Sequence, residues 1–365
     1  MPLASVEAVN GAAGDDFIAG DGAANRLDGR DGDDDVDGRD GDDTLLGGAG
    51  NNVLNGADGF DTASYAWAAG PALIDLAGGS ALVDSGATAD DLLSNIEGAV
   101  GGAGGDTLLG DGGANALDGG AGDDSVFGAG GDDTLSAGEG DDTLRGGDGF
   151  DTADFAGAEE DLDIDLAEGA ERAVTKTELL SIEAVVGGSG DDFVAGDGAA
   201  NRLDGRGGDD DLDGRDGDDT LLGGAGNNVL NGADGFDTAD YGWAAAAVRV
   251  DLAARSGLVG VGGAVADDQL FNMEGAVGGS GGDTLVGDAG GNRLDGAGGD
   301  DSLDGAGGDD TLLAGEGADT LRGGDGFDTA DFAGVEEDLD IDLAEGAERA
   351  ATESVLASIL SLIHI

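Results

Sequence analysis

A nine-residue repeat that keeps its phase constrains this chain more than any other feature. The register opens as Gly11-Ala-Ala-Gly14-Asp-Asp16-Phe-Ile18-Ala and restarts at Gly20, Gly29, Gly38, Gly47 and Gly56. It fills residues 11–64 and recurs over 101–154, 187–240 and 278–331, giving four blocks of six nonads. Of the 24 nonads, 22 carry Gly at position 1 (Ala137 and Ala314 depart) and 22 carry Gly at position 4 (Ala23 and Ala199 depart). Position 6 is Asp in 18 and Asn in six, while position 8 is Leu, Val or Ile in 20 and Ala in the last nonad of each block. A flexible glycine-rich linker would not hold that phase.

Each position has a physical consequence. Glycine permits the positive φ that a tight turn needs and leaves room where a side chain would obstruct. Three residues around position 8 form a short strand, in which alternation turns position 8 inward and positions 7 and 9 outward. Turn, strand, turn, strand closes an 18-residue coil, and stacked coils pile Leu27 and Leu45 into a thin aliphatic core. The expected fold is all-β: a parallel β-roll, or β-solenoid, with four six-nonad blocks joined by short β-rich spacer or capping segments. The 79 glycines, and only 4% aromatics, fit such a core and would starve an ordinary globular one.

Stacking aligns the turns along two edges, so Asp16 faces Asp34 and Asp43 faces Asp61 one coil later. Stacked carboxylates repel unless a cation lies between them, and calcium accepts six to eight hard oxygen ligands, backbone carbonyls included. The candidate ligands are Asp16, Asn25, Asp34, Asp43, Asn52 and Asp61 in the first block, and Asp106, Asn115, Asp124, Asp133, Asp142 and Asp151 in the second. The third block supplies Asp192, Asn201, Asp210, Asp219, Asn228 and Asp237, and the fourth Asp283, Asn292, Asp301, Asp310, Asp319 and Asp328. Sites that include an Asn lose a charge and are expected to be weaker. Two sites per edge and two edges per block set a ceiling of about 16 Ca²⁺, which would reduce the net charge of -67 to about -35. Position 5, with 11 Asp, reads as a solvated face.

The nonad Gly-Gly-x-Gly-x-Asp-x-(apolar)-x resembles the RTX (repeats-in-toxin) or hemolysin-type calcium-binding family. The resemblance covers all four blocks and extends to Gly59-Phe-Asp-Thr-Ala-Ser-Tyr65 at a block exit and Leu93-Ser-Asn-Ile96-Glu97 before the next block. It implies calcium-dependent folding, export by a type I secretion machine and action outside a bacterial cell. The family's export signal is C-terminal, and no segment here is recognisable as one. Met1-Pro-Leu-Ala-Ser-Val-Glu7 has neither the basic nor the apolar region of a cleavable leader.

Residues 65–100, 155–186 and 241–277 are spacers, 1–10 reads as the end of a preceding one and 332–359 as part of another. Each begins with an aromatic (Tyr65, Phe155, Tyr241, Phe332), preceded at position 5 by Phe60, Phe150, Phe236 or Phe327, and these rings are expected to plug the open ends of the rolls. Alternation in Leu162–Leu166, Val248–Leu252 and Leu339–Leu343 predicts half-buried strands. Ser358-Ile359 matches Ser181-Ile182, after which Leu360-Ser-Leu-Ile-His-Ile365 breaks the pattern and reads as a non-native tail, with an internal piece of a longer array before it.

The exclusions are sharp. There is no Cys and one His, so thiolate sites, catalytic triads and multi-histidine metal sites are ruled out. Eighty-one acids against 14 Lys plus Arg would repel nucleic acid and anionic membranes, and no apolar run reaches spanning length. Asp33-Asp-Asp-Val-Asp-Gly38 imitates an EF-hand start, but Thr44 stands where that loop needs Glu. No residue constellation points to catalysis. The expected function is a calcium-binding structural or adhesive module of a secreted or surface protein. The alternative is the export-and-folding tail of a secreted protease, lipase or toxin, with catalysis elsewhere.

Overall fold

The computed structural model describes residues 6–83, 89–167, 170–171, 177–260, 266–332, 341–342, 347–348 and 355–356. The described residues contain no helix; their regular structure is parallel β-solenoid. The chain divides into two compact units, Met1–Gly157 with Glu168–Val186, and Ala158–Ala167 with Gly187–Ile365.

In the first unit the coil length is 18 residues, as Arg26↔Thr44, Leu27↔Leu45 and Asp28↔Leu46 pair in parallel. One sheet stacks Ala8–Asn10, Arg26–Asp28, Thr44–Leu46 and Thr62–Ser64, then Gly98–Val100 and onward. The facing sheet holds Phe17–Ala19, Asp35–Asp40 and Val53–Asp58. Position 8 forms the core in both: Ile18, Leu27, Val36, Leu45, Leu54 and Ala63 are all buried. The second unit repeats this arrangement, with Leu203↔Leu221 and Leu212↔Leu230 stacked and buried.

The spacers continue the stack rather than cap it. Val53–Asp58 pairs in parallel with Ala89–Ser94, a meander runs back through Ser80–Val83 to Ala72–Asp75, and that strand pairs in parallel with Thr107–Leu109 of the next block. The other sheet advances by one strand over the same stretch, from Thr62–Ser64 to Gly98–Val100. In the second unit the same path joins Val229–Asn231, Ala266–Phe271, Ser256–Val259, Val248–Asp251 and Thr284–Val286. Tyr65, Phe155 and Tyr241 are buried as expected. The position-5 phenylalanines are not plugs. Phe60, Phe150, Phe236 and Phe327 are 39–55% exposed, because position 5 lies on the outside of the turn. Strands form at Asp163–Asp165 and Val248–Asp251, while Leu339 and Leu360–Ile365 lie outside the described residues.

Candidate metal centres

Position 6 reaches back along the stack. Asp34 Oδ1 accepts the backbone N–H of Asp16 at 2.8 Å, and Asp61 Oδ1 accepts that of Asp43 at 2.8 Å. The same bond links Asp106 to Asp124, Asp133 to Asp151, Asp219 to Asp237 and Asp301 to Asp319. One oxygen of each carboxylate is thus spent on the neighbouring coil.

The second oxygen separates the candidates into two groups. Among the described residues, thirteen buried carboxylates have an Oδ2 without a hydrogen-bond partner: Asp34, Asp43, Asp61, Asp124, Asp133, Asp142, Asp151, Asp210, Asp219, Asp237, Asp301, Asp310 and Asp328. All come from the second and third coils of their blocks. In the first coil the side chain turns onto its own loop instead. Asp16 Oδ2 accepts from Ala12 N–H, Asp106 from Gly102, Asp192 from Gly188 and Asp283 from Gly279. Asn25, Asn115, Asn201 and Asn292 likewise accept from Asp21, Asp111, Asp197 and Asp288.

The backbone explains the split. In the later coils positions 2 and 4 are left-handed, as at Arg39 (φ 77°) and Gly41 (φ 110°). First-coil turns hold no positive φ, which is why Ala23 and Ala199 are tolerated at position 4 there. Glycine at position 1 gives space rather than an unusual angle, although Ala137 and Ala314 are accommodated there, both buried. A Cβ on Gly38 would strike Asp43 Oδ2 and lie 2.9 Å from the carbonyl oxygen of Gly56; on Gly119 it would lie 2.5 Å from Asp124 Oδ2 and 2.8 Å from Ala137 O. Each such hollow is lined by a carboxylate oxygen and a carbonyl from the next coil. That is a hard oxygen set, suited to calcium and poorly suited to softer metals. Among the described residues no three acidic or histidine side chains converge, so carbonyls must complete any coordination shell.

Burial and neighbouring negative charge raise the carboxyls of Asp34, Asp43, Asp142 and Asp151 above their usual value, and eight others further. Asp61, Asp124, Asp133, Asp237 and Asp310 are pushed up to about 6, and Asp210, Asp219 and Asp301 to about 7, with desolvation the largest cause. Nearby charges such as Glu97 beside Asp61 add to it. Oxygens that cannot easily carry their charge, and have no donor, are the ones a cation would satisfy.

Two sets of residues at these edges lie outside the nonad register, and one position within it does more than the register shows. Glu97, Glu183 and Glu274 accept the N–H of Asp61, Asp151 and Asp237 through Oε2 and extend one acidic edge into the spacers. Asp91 and Asp268 do so on the other edge, opposite Asn52 and Asn228. The Leu-x-x-Ile-Glu spacing, with Met273 for Ile before Glu274, carried a signal for the glutamates; nothing periodic marked Asp91. Position 5, read as a solvated face, forms a second ladder. Asp15, Asp33 and Asp42 accept the N–H of Asp33, Asn51 and Phe60 one coil ahead, opposite in direction to position 6.

A parallel β-roll with rows of buried, partnerless carboxylates along its turns defines a class of calcium-binding repeat. The model of the RTX calcium-binding nonapeptide repeat (4 copies) matches residues 10–45, 28–63, 100–135, 118–153, 186–221, 205–239, 277–312 and 307–330. These stretches cover more than half of the chain, and the chain belongs to that family. RTX repeats bind calcium and are typical of secreted proteins. No curated protein matches the chain.

Proposed function

We propose that the chain is a structural calcium-folded module of a secreted or surface protein, exported by a type I machine and not itself catalytic. The observation that carries this reading is the row of thirteen buried carboxylate oxygens with no partner. Leaving charged groups buried and unpaired costs several kcal/mol each, so a fold with this many is unfavourable without cations.

Calcium would be held by Asp34, Asp43 and Asp61 and their counterparts, together with the position-1 carbonyls. It supplies positive charge and oxygen coordination where the chain has no donor. A site of ~0.1 mM affinity at ~1 mM calcium adds about 1.4 kcal/mol to folding, and four such sites approach the whole stability of a small domain. At sub-micromolar calcium that contribution vanishes, while repulsion within a chain of net charge -67 remains. The chain would then be threadable before export and would fold on meeting external calcium. Circular dichroism in calcium and in EGTA tests this: β signal is expected only with calcium, and full β signal in EGTA at neutral pH would overturn it.

A further inference from the structure

Two stretches near the ends of this chain repeat residues that pair with each other's counterparts inside it. Residues 321–350 copy 144–173 with one change, Val335 for Ala158. Ser5-Val-Glu-Ala-Val9 corresponds to Ser181-Ile-Glu-Ala-Val185, and Phe17, Ala19, Gly20 and Arg39 correspond to Phe193, Ala195, Gly196 and Arg215.

The internal copies have partners. In the first unit Thr152–Asp154 pairs in parallel with Ala184–Val186, Asp151 N–H donates to Glu183 Oε2 at 2.9 Å, and Ala184 N–H donates to Asp151 O at 2.9 Å. In the second unit Asp163–Asp165 pairs in parallel with Phe193–Ala195. Arg215 holds both oxygens of Asp165, at 2.8 and 2.9 Å, and donates to Gly196 O at 2.8 Å. The end copies stand open. Among the described residues Ala8–Asn10 pairs only with Arg26–Asp28, Phe17–Ala19 only with Asp35–Asp40, and Thr329–Asp331 only with Thr311–Leu313. Arg39 makes the same 2.8 Å bond to Gly20 O, and among the described residues no carboxylate pairs with it. Val6 is 40% exposed where Ile182 is 5%, Phe17 is 69% exposed where Phe193 is 37%, and a hollow lined in part by Val9, Ala19, Leu27 and Arg39 opens beside them.

We propose that the open edges of the first block take the fourth-block end of a second copy of this chain, using the pairings already present between the second and third blocks. Thr329–Asp331 adds in parallel to Ala8–Asn10, with Asp328 N–H donating to Glu7. The strand containing Ile341–Asp342 adds to Phe17–Ala19, and Asp342, the sequence counterpart of Asp165, supplies the carboxylate for Arg39. Strand addition contributes main-chain hydrogen bonds, and a forked Arg–carboxylate contact fixes the register. The two surfaces differ, so the contact is head-to-tail, and each added copy brings a free surface of each kind. Two-fold symmetry does not stop such an assembly at two copies. The proposal goes beyond the calcium reading and needs it for the folded state, since copies of net charge -67 would otherwise repel.

Analytical ultracentrifugation of the full chain, in saturating calcium chloride and about 0.15 M salt, reads this over a concentration series, with circular dichroism on the same samples. Mass is expected to climb past two copies as the chain approaches about 0.1 mM. Arg39→Ala, at a left-handed position (φ 77°) whose angle Ala57 also adopts, should weaken association about tenfold or more. Ala8→Pro removes the edge donor that corresponds to Ala184 N–H and should abolish association. Arg206→Ala removes an equal charge from an exposed pair with Asp204 in the third block and should leave association unchanged. A monomer with full β signal, or an assembly that stops at a dimer, overturns the proposal. So does association that survives both Arg39→Ala and Ala8→Pro. A monomer without β signal in calcium overturns the calcium reading and this proposal together.

Discussion

Asp61 Oδ1 accepts the backbone N–H of Asp43 at 2.8 Å, while the other oxygen of the same carboxylate, fully buried, has no partner. One half of the group locks two coils together and the other half is left for a cation. The same division recurs along the later coils and distinguishes them from the first, where Asp16 spends its Oδ2 on Ala12 N–H.

Asp43→Ala and Asp16→Ala should therefore differ. The first removes a partnerless oxygen and is expected to lower calcium stoichiometry and raise the calcium midpoint several-fold. The second loses a hydrogen bond, about 1 kcal/mol, with stoichiometry intact. Isothermal titration of both variants decides, and equal loss of ions would erase the distinction between coils.

Position 5 gives a third behaviour. Asp42→Ala removes the acceptor for Phe60 N–H at 2.9 Å and leaves every candidate ligand in place. Stability should fall by about 0.5–1.5 kcal/mol in thermal unfolding at saturating calcium, with the number of bound ions unchanged.

Acidification should partly replace calcium. With folded-state values raised to about 6 at Asp61 and about 7 at Asp210 and Asp301, the folded chain holds protons that the unfolded chain loses above pH ~4. The metal-free fold is thus favoured below pH ~4 and loses that support as pH rises through about 6–7. In EGTA, β signal at about pH 4.5 should exceed that at about pH 8, and the calcium midpoint should rise on acidification as protons compete. A metal-free signal that grows with pH would contradict the assigned burial.

Glycines should sort by position. Gly38→Ala drives a methyl against Asp43 Oδ2 and the Gly56 carbonyl, and should abolish a calcium site and destabilise the fold. At Gly22 nothing lies within 4 Å of an added Cβ and φ is not positive, so Gly22→Ala should stabilise by about 0.4–1 kcal/mol through the unfolded state. Calcium-dependent melting curves separate the two.

The roll, its 18-residue coil and its inner row were legible because periodicity is a property of spacing, and Leu27, Leu45 and Ala63 recur at the interval that stacks them. The position-6 row was legible for the same reason. The roles of Asp15 and Asp42 were not, since an exposed acid reads alike whether it is solvated or accepts an amide one coil away. Nor were Phe60 and its counterparts, whose outward placement depends on the path of the turn. Asp91 lies 39 residues from Asn52, beyond any register the nonads supply.

By itself the sequence determined what repeats: a short strand, a glycine turn and an acid at a constant interval, which leave a stacked roll and hard cations as the consistent solution. Only the tertiary structure decided which acids have an oxygen to spare. Asp16 and Asp34 occupy the same position in the same repeat, yet Oδ2 of the first meets its own loop's N–H and Oδ2 of the second meets none. The difference arises because hydrogen bonding depends on where the adjoining turn places its amides, and that is set by the coil's place in the stack.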